Sequence, residues 1–135
     1  MAIVNTFPKC LESPYLFEDK DAPARIPKLL ASAGDRLDAA VNIQTTGQGD
    51  PADASLLAYE AMFACLRALV YAKGYREAGL RCLLLACDSL YVKPGTLDAS
   101  HIHAFERAQG LKTPPAENIN SAAAFVKRTL EILGQ

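Results

Sequence analysis

The sequence predicts an all-α protein, an up-and-down bundle of four to five helices. Apolar residues recur at spacings of three to four over most of the chain, which is the period of a helix with one buried face. No stretch alternates apolar and polar residues over more than a few positions, so no β-sheet is predicted. The predicted helices are joined by short loops containing glycine and proline, which favours antiparallel neighbours.

The most apolar of these helices is predicted at about residues 52–73, in the centre of the bundle. Its large apolar side chains follow the helical spacing, at Tyr59, Phe63, Leu66 and Val70. Because few charged residues interrupt this segment, we expect it to be buried on most sides. Asp50 or Asp53 is expected to cap its start, and Gly74 is expected to end it in the left-handed conformation.

One helix is predicted before this segment and three after it, at about residues 27–45, 76–91, 98–109 and 115–133. Residues 25–135 are therefore expected to form a single bundle domain. Residues 1–24 are interrupted by prolines and predicted to be irregular. They nevertheless carry Phe7, Tyr15 and Phe17, so we expect this segment to lie across the bundle or a partner subunit.

Charge and composition exclude several classes of protein. The net charge of −1 provides no overall attraction to nucleic acid or to an anionic membrane. Residues 67–93 carry five basic and two acidic groups, a surplus typical of a solvated helix end. The chain contains no apolar run of the roughly 18 residues that a membrane span needs, and no secretory signal pattern is expected.

The expected redox state of the four cysteines indicates the cellular location of the protein. Without an export signal, we interpret them as reduced thiols that behave as small buried apolar groups, and we expect a cytoplasmic protein. They are Cys10, Cys65, Cys82 and Cys87. No motif predicts a metal site or a cofactor, since phosphate-binding glycine loops and spaced metal ligands are both missing from the sequence.

Three segments together resemble a known family. AYEAMFACLRALVYAKG (residues 58–74) is similar to a helix with an aromatic–Ala–Met–Phe motif that ends in Lys-Gly. SLYVKPGTLD (residues 89–98) is similar to a Phe-Val-Lys-x-Gly-x-Leu turn, and Arg107 falls where that family places an arginine. The chain thereby resembles the HEPN superfamily of small bacterial and archaeal helical proteins over about residues 27–133.

The resemblance implies a helical bundle that is commonly a homodimer. Members of the family often partner a minimal nucleotidyltransferase in toxin–antitoxin pairs, and some of them cleave RNA. The RNA-cleaving members place a histidine a few residues after the arginine, whereas residues 108–113 hold none after Arg107. Because the 2′-hydroxyl proton needs a base, the chain is expected to be a degenerate, non-catalytic binding or regulatory module. Its expected partners are a nucleotidyltransferase-like protein, or RNA or a nucleotide.

Two alternatives stay open. In the first, the chain is a weak metal-independent ribonuclease that uses Arg107 together with His103, one helical turn earlier on the same face. In the second, it is a purely structural interaction module whose aromatic N-terminal segment docks into a partner.

The candidate residues form two sets. Those for nucleic-acid or nucleotide binding are Arg107, His103, Arg67 and Lys112. Those for an interface are Glu60, Tyr59, Phe7, Tyr15 and Phe17. Glu60 and Arg67 lie in the apolar central helix, so we expect each to need a polar partner, for example the symmetry mate of the other across a dimer interface.

Overall fold

Three long helices form the core of the molecule. The computed structural model describes residues 3–110 and 112–135. In it, α2 (Ile26–Thr46), α3 (Pro51–Ala72) and α6 (Pro115–Leu133) pack against one another, and the contact of α2 with α3 is the most extensive. Since residues 47–50 are the whole connection between α2 and α3, these two helices run antiparallel.

Shorter elements surround this core. They are α1 (Phe7–Leu11), β1 (Leu16–Glu18), a 3-10 turn (Ala22–Arg25), β2 (Tyr75–Glu77), α4 (Leu80–Cys87), a π-helical turn (Asp88–Val92) and α5 (Ala99–Gln109). With 72% of the chain helical, the all-α prediction is confirmed. Within residues 3–110 and 112–135 there are six α-helices, and the one beyond the predicted five is α1.

The central helix α3 is buried around most of its circumference. Met62, Leu66 and Leu69 are fully enclosed. Small side chains on the facing surfaces, among them Ala33 of α2 and Ala61 of α3, are also fully buried and allow the helix axes to approach closely. Among the described helices, α3 alone is long and apolar enough to span a membrane, but 67% of its most apolar window is buried inside the fold.

The ends of α3 form as predicted. The Asp50 side chain accepts a hydrogen bond of 2.9 Å from the amide of Ala52, which satisfies one of the unpaired donors of the first turn. At the other end the helix stops at Ala72, and Gly74 takes the left-handed conformation with a φ of 83°.

The prediction that the chain lacks a sheet is wrong. Strands β1 and β2 pair antiparallel, with Leu16 opposite Glu77 and Phe17 opposite Arg76. The helix expected from residue 76 therefore begins at Leu80 instead, after Gly79 in extended conformation. Strands of three residues are too short to show a period of two, and their pairing joins distant parts of the chain.

The N-terminal segment, residues 3–25, is more ordered than predicted. It contains α1, β1 and the 3-10 turn, and three of its residues, Cys10, Leu16 and Ala22, are fully buried. Each contributes to the apolar core that α3 and α4 share. The N-terminal segment is thus a layer of the fold.

The interpretation of all four cysteines as reduced thiols is wrong for two of them. Cys10 and Cys82 form a disulfide with Cα atoms 5.7 Å apart. Cys65 and Cys87 are free and buried, and burial raises the pKa of each thiol to about 12. Because a disulfide is present, the cysteines no longer support the expected cytoplasmic location.

Candidate anion-binding cleft

A cleft of about 590 Å³ opens between the start of α2, the second half of α3 and β2. Its lining includes four cationic side chains and one carboxylate, namely Arg25, Lys28, Arg67, Arg76 and Glu77. We call this cavity the cationic cleft. An excess of positive charge within a recess attracts anions more strongly than the same charges spread over an open surface.

Tertiary structure brings these residues together from three parts of the chain. Arg25 ends the 3-10 turn and Lys28 lies in the first turn of α2. Arg67 comes from α3, whereas Arg76 and Glu77 belong to β2. The packing of α2 on α3 and the pairing of β2 with β1 therefore determine the shape of the cleft.

Glu77 anchors one side of the cleft. Its side chain is only 6% exposed. Arg67 Nε donates a hydrogen bond of 3.0 Å to Glu77 Oε2, and the Tyr71 hydroxyl donates to Glu77 Oε1. A buried carboxylate is costly unless such partners satisfy it, so the three side chains form one unit.

Tyr71 stays protonated within this unit. Burial, and then the hydrogen bond and negative charge of Glu77, raise the pKa of Tyr71 to about 12. The hydroxyl is therefore a neutral hydrogen-bond donor to Glu77 throughout the physiological range.

Arg67 is held from two sides. Its guanidinium lies 4.3 Å from the centroid of the Phe63 ring, and its Nε is engaged by Glu77. Within the described part of the chain its two terminal nitrogens make no hydrogen bond, so they remain available to an anionic ligand. A planar guanidinium fixed in this way suits bidentate binding of phosphate or carboxylate.

The other cations differ in how strongly they are already paired. Arg76 forms an ion pair with Asp19, with Nη1 of the arginine 3.8 Å from Oδ2 of the aspartate. Within residues 3–110 and 112–135, neither Arg25 nor Lys28 takes part in an ion pair, and both are exposed. These two side chains can therefore turn toward a ligand without breaking an existing contact.

A second cavity of about 250 Å³ shares Leu29, Ser32 and Arg67 with the cleft. It adds Arg36 and Glu60, whose side chains form an ion pair of 2.7 Å. The recess thus continues along the seam between α2 and α3.

The structure separates the four predicted binding residues. Arg67 lines the cationic cleft, whereas Arg107, His103 and Lys112 do not. Arg107 and His103 lie exposed on α5, and Lys112 follows that helix. His103 lines a different cavity of about 230 Å³, which also contains Glu106 and Arg81.

His103 and Arg107 lie four residues apart on α5, about one helical turn from each other. Among residues 3–110 and 112–135, neither of these two side chains takes part in a hydrogen bond or an ion pair. No group of three His, Cys, Asp or Glu side chains suited to a metal ion occurs among the described residues.

Glu60 and Arg67 each have a polar partner, as expected, and in both cases that partner lies within the chain, whereas a contact across a dimer interface stays a prediction. Glu60 pairs with Arg36, and Arg67 pairs with Glu77. Both partners are distant in sequence, at 24 and 10 residues, which is why the helix pattern alone does not reveal them.

The aromatic interface candidates divide into two groups. Tyr59 stacks on Phe105 with ring centroids 4.9 Å apart, and Phe7 packs edge-on against Tyr75 at 5.3 Å. Tyr15 and Phe17 are 49% and 43% exposed. These last two therefore keep apolar surface free on the N-terminal segment.

Sequence reasoning misses most of the cleft. The surplus of positive charge in residues 67–93 includes Arg67 and Arg76, but as a sequence feature it is typical of a solvated helix end. Arg25 and Lys28 lie in the acidic first half of the chain, where no local signal marks them. Their proximity to Arg67 depends on how α2 packs on α3.

Comparisons of the chain with models of known protein families, with curated proteins and with solved structures find no match. The resemblance to HEPN proteins therefore stays a prediction from the three sequence segments. Inferences about function depend mainly on the geometry of the cationic cleft.

Proposed function

We propose that this chain is a non-catalytic binding module whose cationic cleft holds a phosphate-bearing ligand, either a nucleotide or a short stretch of RNA. The observation that carries the proposal is the convergence of Arg25, Lys28, Arg67 and Arg76 on one recess. Phosphate groups are the ligands that clustered arginines and lysines bind most favourably.

The size of the recess supports this class of ligand. About 590 Å³ lies within the range of small-molecule sites, and the adjoining 250 Å³ extends it along α2 and α3. Arg25 and Lys28 in the lining are exposed, so a longer strand can extend beyond the cleft. Glu77, already paired to Arg67 and Tyr71, orients Arg67 rather than repelling the ligand.

The resemblance to HEPN proteins adds a partner to the proposal. We infer a homodimer, or a complex with a nucleotidyltransferase-like protein, that uses the exposed Tyr15 and Phe17. Half-exposed aromatic side chains are enriched in protein interfaces, which supports this surface. Replacing both by serine should lower the sedimentation mass of the assembly, and a monomeric wild-type chain that captures no such partner would contradict the inference.

The binding proposal is tested with a fluorescently labelled single-stranded RNA and with labelled ATP. Arg25→Gln with Lys28→Gln removes two exposed cations that form no ion pair within the part of the chain that the structure describes. We expect the affinity to fall at least about tenfold. We also expect the slope of log affinity against log salt concentration to decrease by about two, since about two fewer counterions are released. The matched control, Arg107→Gln with Lys112→Gln, removes the same charge from the α5 region and should change the affinity less than about twofold.

Four outcomes decide the matter. A wild-type chain that binds neither probe at low salt contradicts the proposed function. Equal weakening by both pairs would mean that binding follows total charge and has no site in the cleft, and weakening by the control pair alone would place the site at α5. Metal-independent cleavage of the RNA that Arg107→Ala abolishes would favour the ribonuclease alternative.

A further inference from the structure

The disulfide lies at one end of a segment that helps to build the cationic cleft. Cys10 is on α1, and Cys82 is in the first turn of α4. The N-terminal segment runs onward from Cys10 to the cleft, where Ala24 and Arg25 form part of the lining. The bond therefore anchors a segment whose other end is a wall of the cleft.

The middle of the same segment supports a second wall. β1 is the strand partner of β2, which carries Arg76 and Glu77. Two further hydrogen bonds of 2.8 Å extend the pairing, from the amide of Ala78 to the carbonyl of Tyr15 and from the amide of Asp19 to the carbonyl of Gly74. In the described chain β2 has no other strand partner, so displacing β1 leaves β2 unpaired.

Apart from the disulfide, few contacts hold α1. Cys10 is the buried residue of this five-residue helix. Phe7 packs edge-on against Tyr75, and the carbonyl of Val4 accepts a hydrogen bond of 3.2 Å from Arg81 Nε. Cys10 and Cys82 are both buried, so attack on the disulfide requires α1 to open. A five-residue helix with one buried residue opens at lower cost than the long helices of the bundle.

We propose that the Cys10–Cys82 disulfide is a redox site for a dithiol reductant, and that its reduction releases α1 and β1 and thereby weakens ligand binding in the cationic cleft. The binding consequence rests on the proposed function, whereas the release of the N-terminal segment does not. The cleft would then bind its phosphate ligand tightly in the oxidised chain and weakly in the reduced one.

The exchange reaction balances with one dithiol. A thiolate of the reductant attacks one sulfur, the Cys10–Cys82 bond breaks, and the displaced cysteine thiolate takes up a proton. The second thiol of the reductant then attacks the mixed disulfide and releases the other cysteine. The chain ends with two thiols, and the dithiol ends as its own disulfide.

The remaining cysteines do not compete in this reaction. Cys65 and Cys87 are buried in the core, and burial raises the pKa of each thiol to about 12. Since the thiolate is the reactive form, both stay protonated and inert. Thiol–disulfide exchange is thereby confined to Cys10 and Cys82, the pair that anchors the N-terminal segment.

The first measurement is hydrogen exchange on the full chain, oxidised or treated with dithiothreitol under native conditions. After reduction we expect at least about tenfold faster exchange of the Asp19 and Ala78 amides, with the amides of α3 unchanged. The variant Cys10→Ala with Cys82→Ala should match the reduced chain in either buffer. A disulfide that is reduced only in denaturant, or unchanged exchange after reduction, would overturn the proposal.

The second measurement is binding of the labelled single-stranded RNA in both states. A loss of affinity of about tenfold on reduction, missing from the double alanine variant, supports the proposal. Binding that is equal in both states overturns it while leaving the proposed function intact. If the oxidised chain binds no RNA and no ATP, the proposed function fails, and faster exchange on reduction still supports the redox release.

Discussion

The bundle of α2, α3 and α6 and the N-terminal segment are held in the fold by different kinds of contact. In the bundle, long helices bury continuous apolar faces, including the fully enclosed Leu66, Phe125 and Ala61. The N-terminal segment depends on one disulfide, a two-stranded sheet and a few side chains. Apolar burial in the bundle is spread over long helix faces, whereas the N-terminal segment buries only a few residues and adds one disulfide and one short strand pair.

The difference between the two regions indicates where a ligand-binding site is to be expected. The cationic cleft lies at the boundary between the two regions, with Arg67 supplied by the bundle and Arg76 by the strand that the segment pairs with. A rigid framework positions one side of the site, and a layer that can be released positions the other. Measurements of stability test this contrast.

The largest effect is expected from breaking the bundle. Phe125 of α6 is fully buried and stacks on His101, with the ring centroids 5.1 Å apart. Phe125→Ala should lower the free energy of unfolding by about 3–5 kcal/mol, because it leaves a cavity among rigid helices. Urea denaturation followed by circular dichroism measures it. Leu56→Ala, at a 45% exposed position of α3, is the control and should cost less than about 1 kcal/mol.

Removing the disulfide should cost somewhat less. Cys10→Ala with Cys82→Ala opens a loop that spans a sequence separation of 72, so the free energy of unfolding of the oxidised protein should fall by about 2–4 kcal/mol. The same urea titration in dithiothreitol is the control, since variant and wild type should then be nearly equal. A difference that persists after reduction would mean that the cysteine side chains stabilise the fold by packing.

The contact of the bundle helix α3 with β2, the strand that pairs with the N-terminal segment, should affect stability at alkaline pH. The pKa of Tyr71 is about 12 in the folded chain, against an ordinary value of 10.0 that we assign to the unfolded chain. Because the pKa is raised in the folded chain, the contribution of protonated Tyr71 to the free energy of unfolding is complete below pH 10 and is lost as the pH rises toward 12. Tyrosinate absorbance measures the titration of Tyr71, and thermal melts measure the loss of stability.

Tyr71→Phe provides the control for that window. The variant should lose one late-titrating tyrosine and show a shallower alkaline decline in melting temperature. Tyr91 continues to titrate late in both proteins, because burial also raises its pKa to about 12. An unchanged alkaline decline in the variant would show that the Tyr71–Glu77 contact does not stabilise the packing of β2 on α3.

The smallest effect concerns the start of α3. Asp50→Ala removes the side chain that accepts from the Ala52 amide, and it should lower the free energy of unfolding by about 1 kcal/mol. Gln48→Ala, in the same loop without a capping side chain, should have almost no effect. If the two variants unfold at the same urea concentration, the cap does not stabilise the bundle.

The two regions also differ in how far sequence reasoning reaches. The five long or amphipathic helices are visible as apolar periodicity, and the cap at Asp50 and the stop at Gly74 follow from residue type. The strands are not visible, because Leu16–Glu18 and Tyr75–Glu77 are three residues each and gain their identity by pairing. Of the residues that line the cleft, Arg67 alone is a candidate from sequence.

Local pattern by itself determined that this chain folds as packed helices with α3 at the centre, because a helical period is repeated within each segment and needs no distant partner. Tertiary structure decided which cysteines pair, which carboxylate holds Arg67, and which cations share a recess. Each of those outcomes joins residues far apart in sequence, and such proximity depends on the packing of whole elements rather than on any local propensity.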